Sequence, residues 1–440
     1  VNQPATAPAK RRWYQEINRA QWLTLAGAWC LWALDAVDFL LITFVLIDIA
    51  KTFDVTLHTA SLLILATFGV RWLGGMLFGN LSDRIGRKIP MLIALVWFTA
   101  GAAFTGLAWS FTAVFAFRLL LGFGMAPILT LGSTMIAEVW PEKYRAIGIG
   151  ILDTGWGFGS VLAATLYGLI YPHFGWRPLF FAGIIPGLLV GLYIWRFVPE
   201  SPVWLKAREK GLVSKRKSPA ATLFREHLKL VLVLSLVQFL LQFGSWPLQG
   251  LLATYLRELH MPPASVSMIT SAGAVGQICG FFCSGFIAER VGRKNAIAMM
   301  LAIGCCCVFA LVNLAPVSIA LGCTFAFLSG FWIVGASGIY PTILAENLPS
   351  NVRATGVGLM YNIGVIGGGI APFIVLASLD YFKVALPKGM FFYTLLGDVL
   401  GVLIIYLATR ETRGIPIEHA GAQDDESAQP QQEGIRRDAW

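Results

Sequence analysis

Six ionisable side chains stand inside apolar stretches of this sequence: Asp35, Asp38, Arg71, Arg118, Asp153 and Asp398. A charge placed in hydrocarbon costs about 2.5–3.5 kcal/mol on insertion scales, so such residues are functional candidates. Asp35 and Asp38 are three positions apart and share one helix face. Two carboxylates that close cannot both ionise cheaply, so one of them can carry a proton. Arg71 and Arg118 keep their charge at any physiological pH and offer a planar two-donor fork to a carboxylate. That carboxylate could belong to a bound anion or to Asp38, as a permanent pair. Gln238 and Gln242 lie one turn apart, just before the sequence GSWP at 244–247. Pro247 denies a hydrogen bond to the Phe243 carbonyl, which predicts a hinge beside Trp246 and Gln249. Tyr361 and Asn362 add donors and acceptors within another apolar run, with Gln277 a weaker candidate. Such a set suits a small anion bearing hydrogen-bonding groups, and does not suit a wholly apolar ligand.

Other chemistry is missing from the pattern. The seven cysteines all fall in apolar runs, and the Cys279/Cys283 spacing fits small packing residues in a helix. The five histidines have no ligand spacing, and no HExxH, phosphate loop, GxSxG or zinc pattern occurs. Neither an enzyme, a metal nor a cofactor is expected; the only coupling species the side chains suggest is the proton.

The elements that must position these residues are membrane helices. The chain is 57% hydrophobic and 13% charged, far from the quarter charged of soluble domains. Apolar runs of spanning length fall near 22–49, 59–79, 89–108, 112–138, 146–170, 179–197, 230–256, 264–288, 295–314, 317–345, 354–379 and 389–409. They lack the period-two alternation of a membrane barrel. The prediction is an all-α polytopic protein. An N-terminal segment (1–21), a six-helix bundle (22–198), a linker (199–229), a second six-helix bundle (230–410) and a polar tail (411–440) make up its plan. The start has no secretory-signal pattern. Of 33 Lys and Arg, 26 fall on the side of both termini and five on the other (Lys51, Arg177, Arg257, Lys383, Lys388). This asymmetry predicts a cytoplasmic location for both termini, and the basic charge therefore sets topology rather than binding nucleic acid. The expected partners are the lipid bilayer and a small anionic ligand, with the chain a monomer.

The two halves repeat one another. GNLSDRIGRK at 79–88 returns as GFIAERVGRK at 285–294, AEVWPEKYRAIGIG at 137–150 as AENLPSNVRATGVG at 345–358, and FVPESP at 197–202 more weakly as ATRETR at 408–413. Three motifs at nearly one offset indicate an internal duplication of six helices.

The doubled charged turn resembles the signature between helices 2 and 3 of the major facilitator superfamily. WYQEINRAQW, LDAVDF, FGVRWLGG, FGSWPLQGLLATYL and GLMYNIGVIGGGIAP are similar to its sialate–proton symporter branch, which includes carriers of sugar acids and small carboxylates. The resemblance, over about residues 13–413, implies proton-coupled uptake of an organic anion by alternating access across a bacterial inner membrane. The alternatives are proton-antiport efflux and a transporter-like sensor. It implies a substrate site from Arg71, Arg118, Gln238, Gln242, Trp246, Gln249, Tyr361 and Asn362, with coupling by Asp35, Asp38 or Asp153, and a structural Asp398. The branch has an acid on helix 4 after its arginine. Pro127, Ile128 and Leu129 occupy that stretch here, which implies either that the coupling role moves to the three aspartates, Asp38 first, or that the cycle is a different one. Asp83, Arg87, Glu138 and Arg145, with Glu289, Arg293, Glu346 and Arg353, are expected to form gating clusters. In these, Asp83 would reach the start of helix 11 and Glu289 the start of helix 5, latching the two halves when the cytoplasmic side closes.

Overall fold

The computed structural model describes residues 13–141, 144–210, 225–348, 353–409 and 411. Twelve helices are long and apolar enough to cross a membrane: α1 (Arg19–Thr52), α2 (Leu57–Ile85), α3 (Lys88–Leu107), α4 (Phe111–Val139), α5 (Ile147–Phe174), α6 (Arg177–Phe197), α7 (Leu228–Glu258), α8 (Pro263–Val291), α9 (Arg293–Leu314), α10 (Ile319–Leu344), α11 (Thr355–Phe382) and α12 (Leu386–Ala408). Each corresponds to one apolar run, and no strand occurs among the described residues. Several helices outrun the apolar stretch. α1 gains its first turn from a capping box, in which Asn18 accepts from the Gln21 amide (2.9 Å) and Gln21 accepts from the Asn18 amide (2.8 Å).

The helices form two six-helix bundles. α5 packs along α8, α2 along α11, and α1 against α7. α3 and α6 pack together on the flank of the first bundle, α9 and α12 on that of the second. α6 turns Ile185, Leu188, Leu189, Leu192 and Trp195 outward, the surface that lipid would cover. α1 is the most enclosed span, 89% of its most apolar window being buried, and Asp35 and Asp38 lie in its buried middle.

Three spans are irregular near the middle. α2 breaks at Val70, between Leu57–Gly69 and Arg71–Ile85. α4 breaks at Ala126, before Pro127 starts a new helix. α10 passes through a π-helical turn at Gly330–Val334 and a 3₁₀ turn at Ser337–Ile339. Disrupted backbone at membrane depth is tolerated where it lines a cavity. The hinge expected at Pro247 is absent, since α7 runs unbroken from Leu228 to Glu258. Gly244 packs against Gly397 of α12, and Trp246 is wedged between Phe39 and Phe68; this packing holds the segment helical despite one lost backbone bond.

The doubled turn has the same construction in both bundles. Gly86 (φ 99°) and Gly292 (φ 94°) adopt backbone angles that a side chain resists, so each helix can stop and the next can start at once. Glu200, at the end of α6, accepts from the amides of Arg87 (2.8 Å) and Lys88 (3.2 Å). Glu411 beyond α12 does the same for Arg293 (2.9 Å) and Lys294 (3.1 Å). A carboxylate thus caps the positive end of α3 and of α9, which gives the faint FVPESP/ATRETR echo a physical meaning. Arg87 bonds Asp83 (3.0 Å) and Glu138 (2.9 Å), and Arg293 bonds Glu346 (3.3 Å). Burial works against the Arg87 charge, but Glu138 and Asp83 more than offset it and hold the guanidinium firmly protonated.

The latch expected when the cytoplasmic side closes is not made in this arrangement, in which the bundles are linked at the opposite face. Asp83 pairs with Arg87 in its own turn rather than with the start of α11, and Glu289 is exposed with no ion pair among the described residues. Arg145 opens the helical turn that leads into α5, with its Nε without a hydrogen-bond partner. The side chain of Arg353 lies outside the described residues. The reason is reach: within a bundle, the turn, the α4 or α10 end and the α6 or α12 end converge, and the acids satisfy the nearest arginine.

Polar links between the bundles lie at the opposite face. Arg257 of α7 pairs with Asp48 of α1 and donates to the Phe44 carbonyl (2.9 Å) and to the Tyr171 hydroxyl of α5 (2.7 Å). Tyr171 in turn donates to Asp48 (2.7 Å). His58 of α2 meets Asp380 of α11 at 2.5 Å, and Ser267 of α8 donates to the Ala164 carbonyl of α5 at 2.7 Å.

Candidate functional site

Between the bundles lies a cavity with an empty volume of about 670 Å³. The first bundle supplies Trp32, Phe68, Arg71, Leu129, Asp153 and Trp156, and the second Gln238, Gln242, Trp246, Gln249, Gln277, Phe281, Ser337, Tyr340 and Tyr361. The irregular joints of α2 and α10 border it. The break at Val70 leaves Arg71 at the first turn of a new helix segment, where its guanidinium reaches the Met125 carbonyl at the α4 joint (3.5 Å).

Most expected site residues meet here: Arg71, Asp153, Gln238, Gln242, Trp246, Gln249 and Tyr361 all line the cavity. Arg71 is 2% exposed, its Nε has no partner, and its nearest carboxylate is Asp35 at 3.7 Å. Both polar atoms of the Gln238 amide and the Tyr340 hydroxyl, on the cavity wall, are buried without a hydrogen-bond partner, as are both Asp35 oxygens and Asn362 Oδ1, which do not line it. Roughly 90% or more of buried polar groups in folded proteins are partnered, so Arg71 Nε, the Gln238 amide and the Tyr340 hydroxyl, all on one cavity, mark a wall open to a ligand. Tyr361 of the second bundle lies in electrostatic reach of Arg71, Asp35 and Asp153 of the first. Asn362 does not line the cavity but approaches Gly75 of α2 across the bundles.

Arg118 is placed elsewhere. It is fully buried within the first bundle, donating to Thr67 (3.0 Å) and to the backbone carbonyls of Asp38 (3.2 Å) and Phe39 (3.4 Å), 5.7 Å above the Phe39 ring. It makes no ion pair with the Asp38 carboxylate among the described residues and does not line the cavity, so neither of the two alternatives for its fork is met here. That carboxylate instead lies against Gly183 of α6, with Oδ1 unpartnered. Asp398 is buried against Gly244, with Cys305 Sγ at 3.5 Å. The seven cysteines are all free, and no metal-ligand cluster occurs among the described residues.

Trp246 and Tyr361 apart, the aromatic walls escaped sequence reasoning. Trp32 stacks obliquely on Trp156 (5.0 Å), and Trp246 crosses Phe68 edge-on (4.7 Å) from the other bundle. Aromatic residues are ordinary in apolar spans, so only the Tyr340-Pro341 pair, a hydroxyl beside a helix breaker, offered a signal.

Residues 28–372 match the model of the Major Facilitator Superfamily, and the chain belongs to that family of transporters. It is 28% identical to the sialic acid transporter NanX of Escherichia coli over 396 residues, covering 89% of this chain and 95% of that one. It is 29% identical to a probable 4-methylmuconolactone transporter of Cupriavidus pinatubonensis over 420 residues, covering 94% and 96%. A solved D-xylose–proton symporter superposes with a TM-score of 0.73 at 18% identity, covering 89% of this chain and 99% of that one, and shares the fold. The protein is thus a multi-pass membrane transporter and not a member of an enzyme family.

Proposed function

We propose that the protein takes up a small organic acid as its anion, together with a proton, by alternating access across a bacterial inner membrane. The observation that carries this reading is Arg71: a buried guanidinium on a cavity wall, with Nε unpartnered and its fork facing a carboxylate only at 3.7 Å. Two similar proteins are named for sialic acid and for 4-methylmuconolactone, in keeping with such a cargo. Excess Lys and Arg on the face of the doubled turn orient that face and both termini to the cytoplasm. The Asp48–Arg257 link then closes the outer side.

The residues divide the work as follows. Arg71 holds the cargo carboxylate in a bidentate fork. Gln238, Gln242, Gln249 and Tyr361 bond its remaining polar groups, and Trp32, Trp156 and Trp246 exclude water. Asp35 supplies the coupling. With the cargo on Arg71, Asp35 loses its counter-charge and holds a proton; when the cargo leaves, Arg71 turns back to Asp35 and the proton departs. Asp153, on the wall with no ion pair among the described residues, is a second proton site, while Asp38 faces away from the cavity. Arg71→Lys keeps the charge and loses the fork. A thermal-shift screen against sialic acids, aldonates, hydroxy acids and aromatic acids finds the cargo, since binding at a hundred times Kd stabilises by about 2.7 kcal/mol. The variant should bind that acid at least about a hundredfold more weakly while still folding in the membrane; wild-type affinity would remove Arg71 from the site.

A further inference from the structure

A second chamber lies between the central cavity and the closed outer face. Its empty volume is about 570 Å³, and it shares Gln249, Gln277 and Val334 with the central cavity. Its outer end is tied to the latch. Phe44 on its wall offers its carbonyl to Arg257, Thr43 on its wall accepts from Thr254 (3.4 Å), and Ala253 sits one turn before Arg257 on α7. The two chambers are therefore stacked along the path, with the glutamines at the neck. On α7 alone the walls run from Gln238 to Ala253, about 22 Å at 1.5 Å per residue.

The two chambers differ in chemistry. The central one carries Arg71 and Asp153, whereas no ionisable side chain lines the outer one. Leu40, Phe44 and Leu252 give it apolar walls, relieved by the neutral hydroxyls of Ser160 and Thr270. The π-helical turn of α10 supplies Gly330 and Val334 to this wall, and such turns occur in helices mostly where a function needs the extra residue. A chamber without charge, opening on a chamber that holds a guanidinium, fits one ligand with two unlike ends. We infer that the outer chamber is the subsite for the uncharged end of the cargo, whose carboxylate rests on Arg71. The preferred substrate is then an elongated organic acid with an apolar or neutral terminus, and the glutamine neck bonds its middle.

This inference rests on the organic-acid reading, and the test separates the two. Binding of ω-phenylalkanoates, from phenylacetate to 6-phenylhexanoate, is measured on the purified full-length protein in nanodiscs by quenching of its tryptophans. Affinity should rise about fourfold for each methylene that enters the outer chamber, the value of burying one CH₂. Thr270→Leu on α8 and Ser160→Leu on α5 each fill the chamber from a different bundle, so misfolding of one leaves the other. Each should abolish the gain for the longest acids and leave phenylacetate binding as in the wild type. No dependence on length in the wild type, or a gain that survives in both filled variants, would overturn the subsite while short-acid binding upholds the acid reading. Failure of every acid to bind the wild type, or equal binding by Arg71→Lys, would overturn both.

Discussion

Arg71 and Arg118 are the same residue type, both buried and both in the first bundle, yet their surroundings assign them different work. Arg118 spends its donors on Thr67 and on the α1 backbone, whereas Arg71 keeps Nε unpartnered beside the cavity. Arg118→Lys is therefore expected to lower the melting temperature, with the acid affinity of the folded fraction kept within about threefold; breaking a buried charge-assisted network costs about 1.5–3 kcal/mol per hydrogen bond. A large loss of affinity without a loss of stability would return Arg118 to the site. Asp35→Asn and Asp153→Asn test the protons. Whichever carries the coupling should lose accumulation driven by a pH gradient, while substrate exchange at equal pH in proteoliposomes survives. Accumulation by both variants would remove both from the coupling. The sequence made all these residues legible as candidates, because a charge in an apolar run is conspicuous. It could not rank them, since rank depends on where each guanidinium points, and the α2 break that aims Arg71 carries no proline.

At the scale of elements, the doubled turn is a brace within each bundle. Three helix ends converge on it, and a single glutamate binds two backbone amides in each copy. Glu200→Gln removes the charge facing the α3 N-terminus, an effect of about 0.3–1 kcal/mol exposed and up to ~2 when partly buried. Its stability loss, read by thermal unfolding in detergent, should match that of Glu411→Gln; a loss in one only would show that the two braces are unlike. The motif was plain in the sequence, but its partner was nearly invisible. Glu200 and Glu411 sit in segments with little else in common, because only a carboxylate at the right distance is required of them.

For the whole molecule, the contacts that join the halves are those the repeat did not announce. Asp48 and Arg257 are 209 positions apart, and the pair has no second copy among the described residues. Pattern reasoning favoured the repeated charges and so did not point to this outer pair. Asp48→Ala and Arg257→Ala should each part the outer side. A cysteine placed at Ala253, buried in the present state, should then react faster with an impermeant external thiol reagent, and the double variant should add little to either single one. Unchanged labelling in both would show that His58–Asp380 and the α5–α8 and α2–α11 packing close this face without the ion pair. The twelve helices and the two bundles were legible because hydrocarbon thickness and duplication both write long-range patterns. The state of the gate was not, since either arrangement satisfies the same composition.

The intrabundle braces have a practical consequence for how the molecule can be made. Among the described residues, the partners of the first brace named above, Glu200 included, precede Lys210, and those of the second follow Arg225. Trp204, in the short helix Pro202–Glu209, also returns to the first half, donating to the Asp83 carbonyl (3.0 Å). A gene cut between those two points should therefore give two polypeptides that each insert as a finished half and meet through α1/α7, α2/α11 and α5/α8. Co-expressed, they should co-purify and regain acid binding without a covalent tether; expressed singly, each should survive as a braced bundle. The protein is in this sense a heterodimer that happens to be translated in one piece.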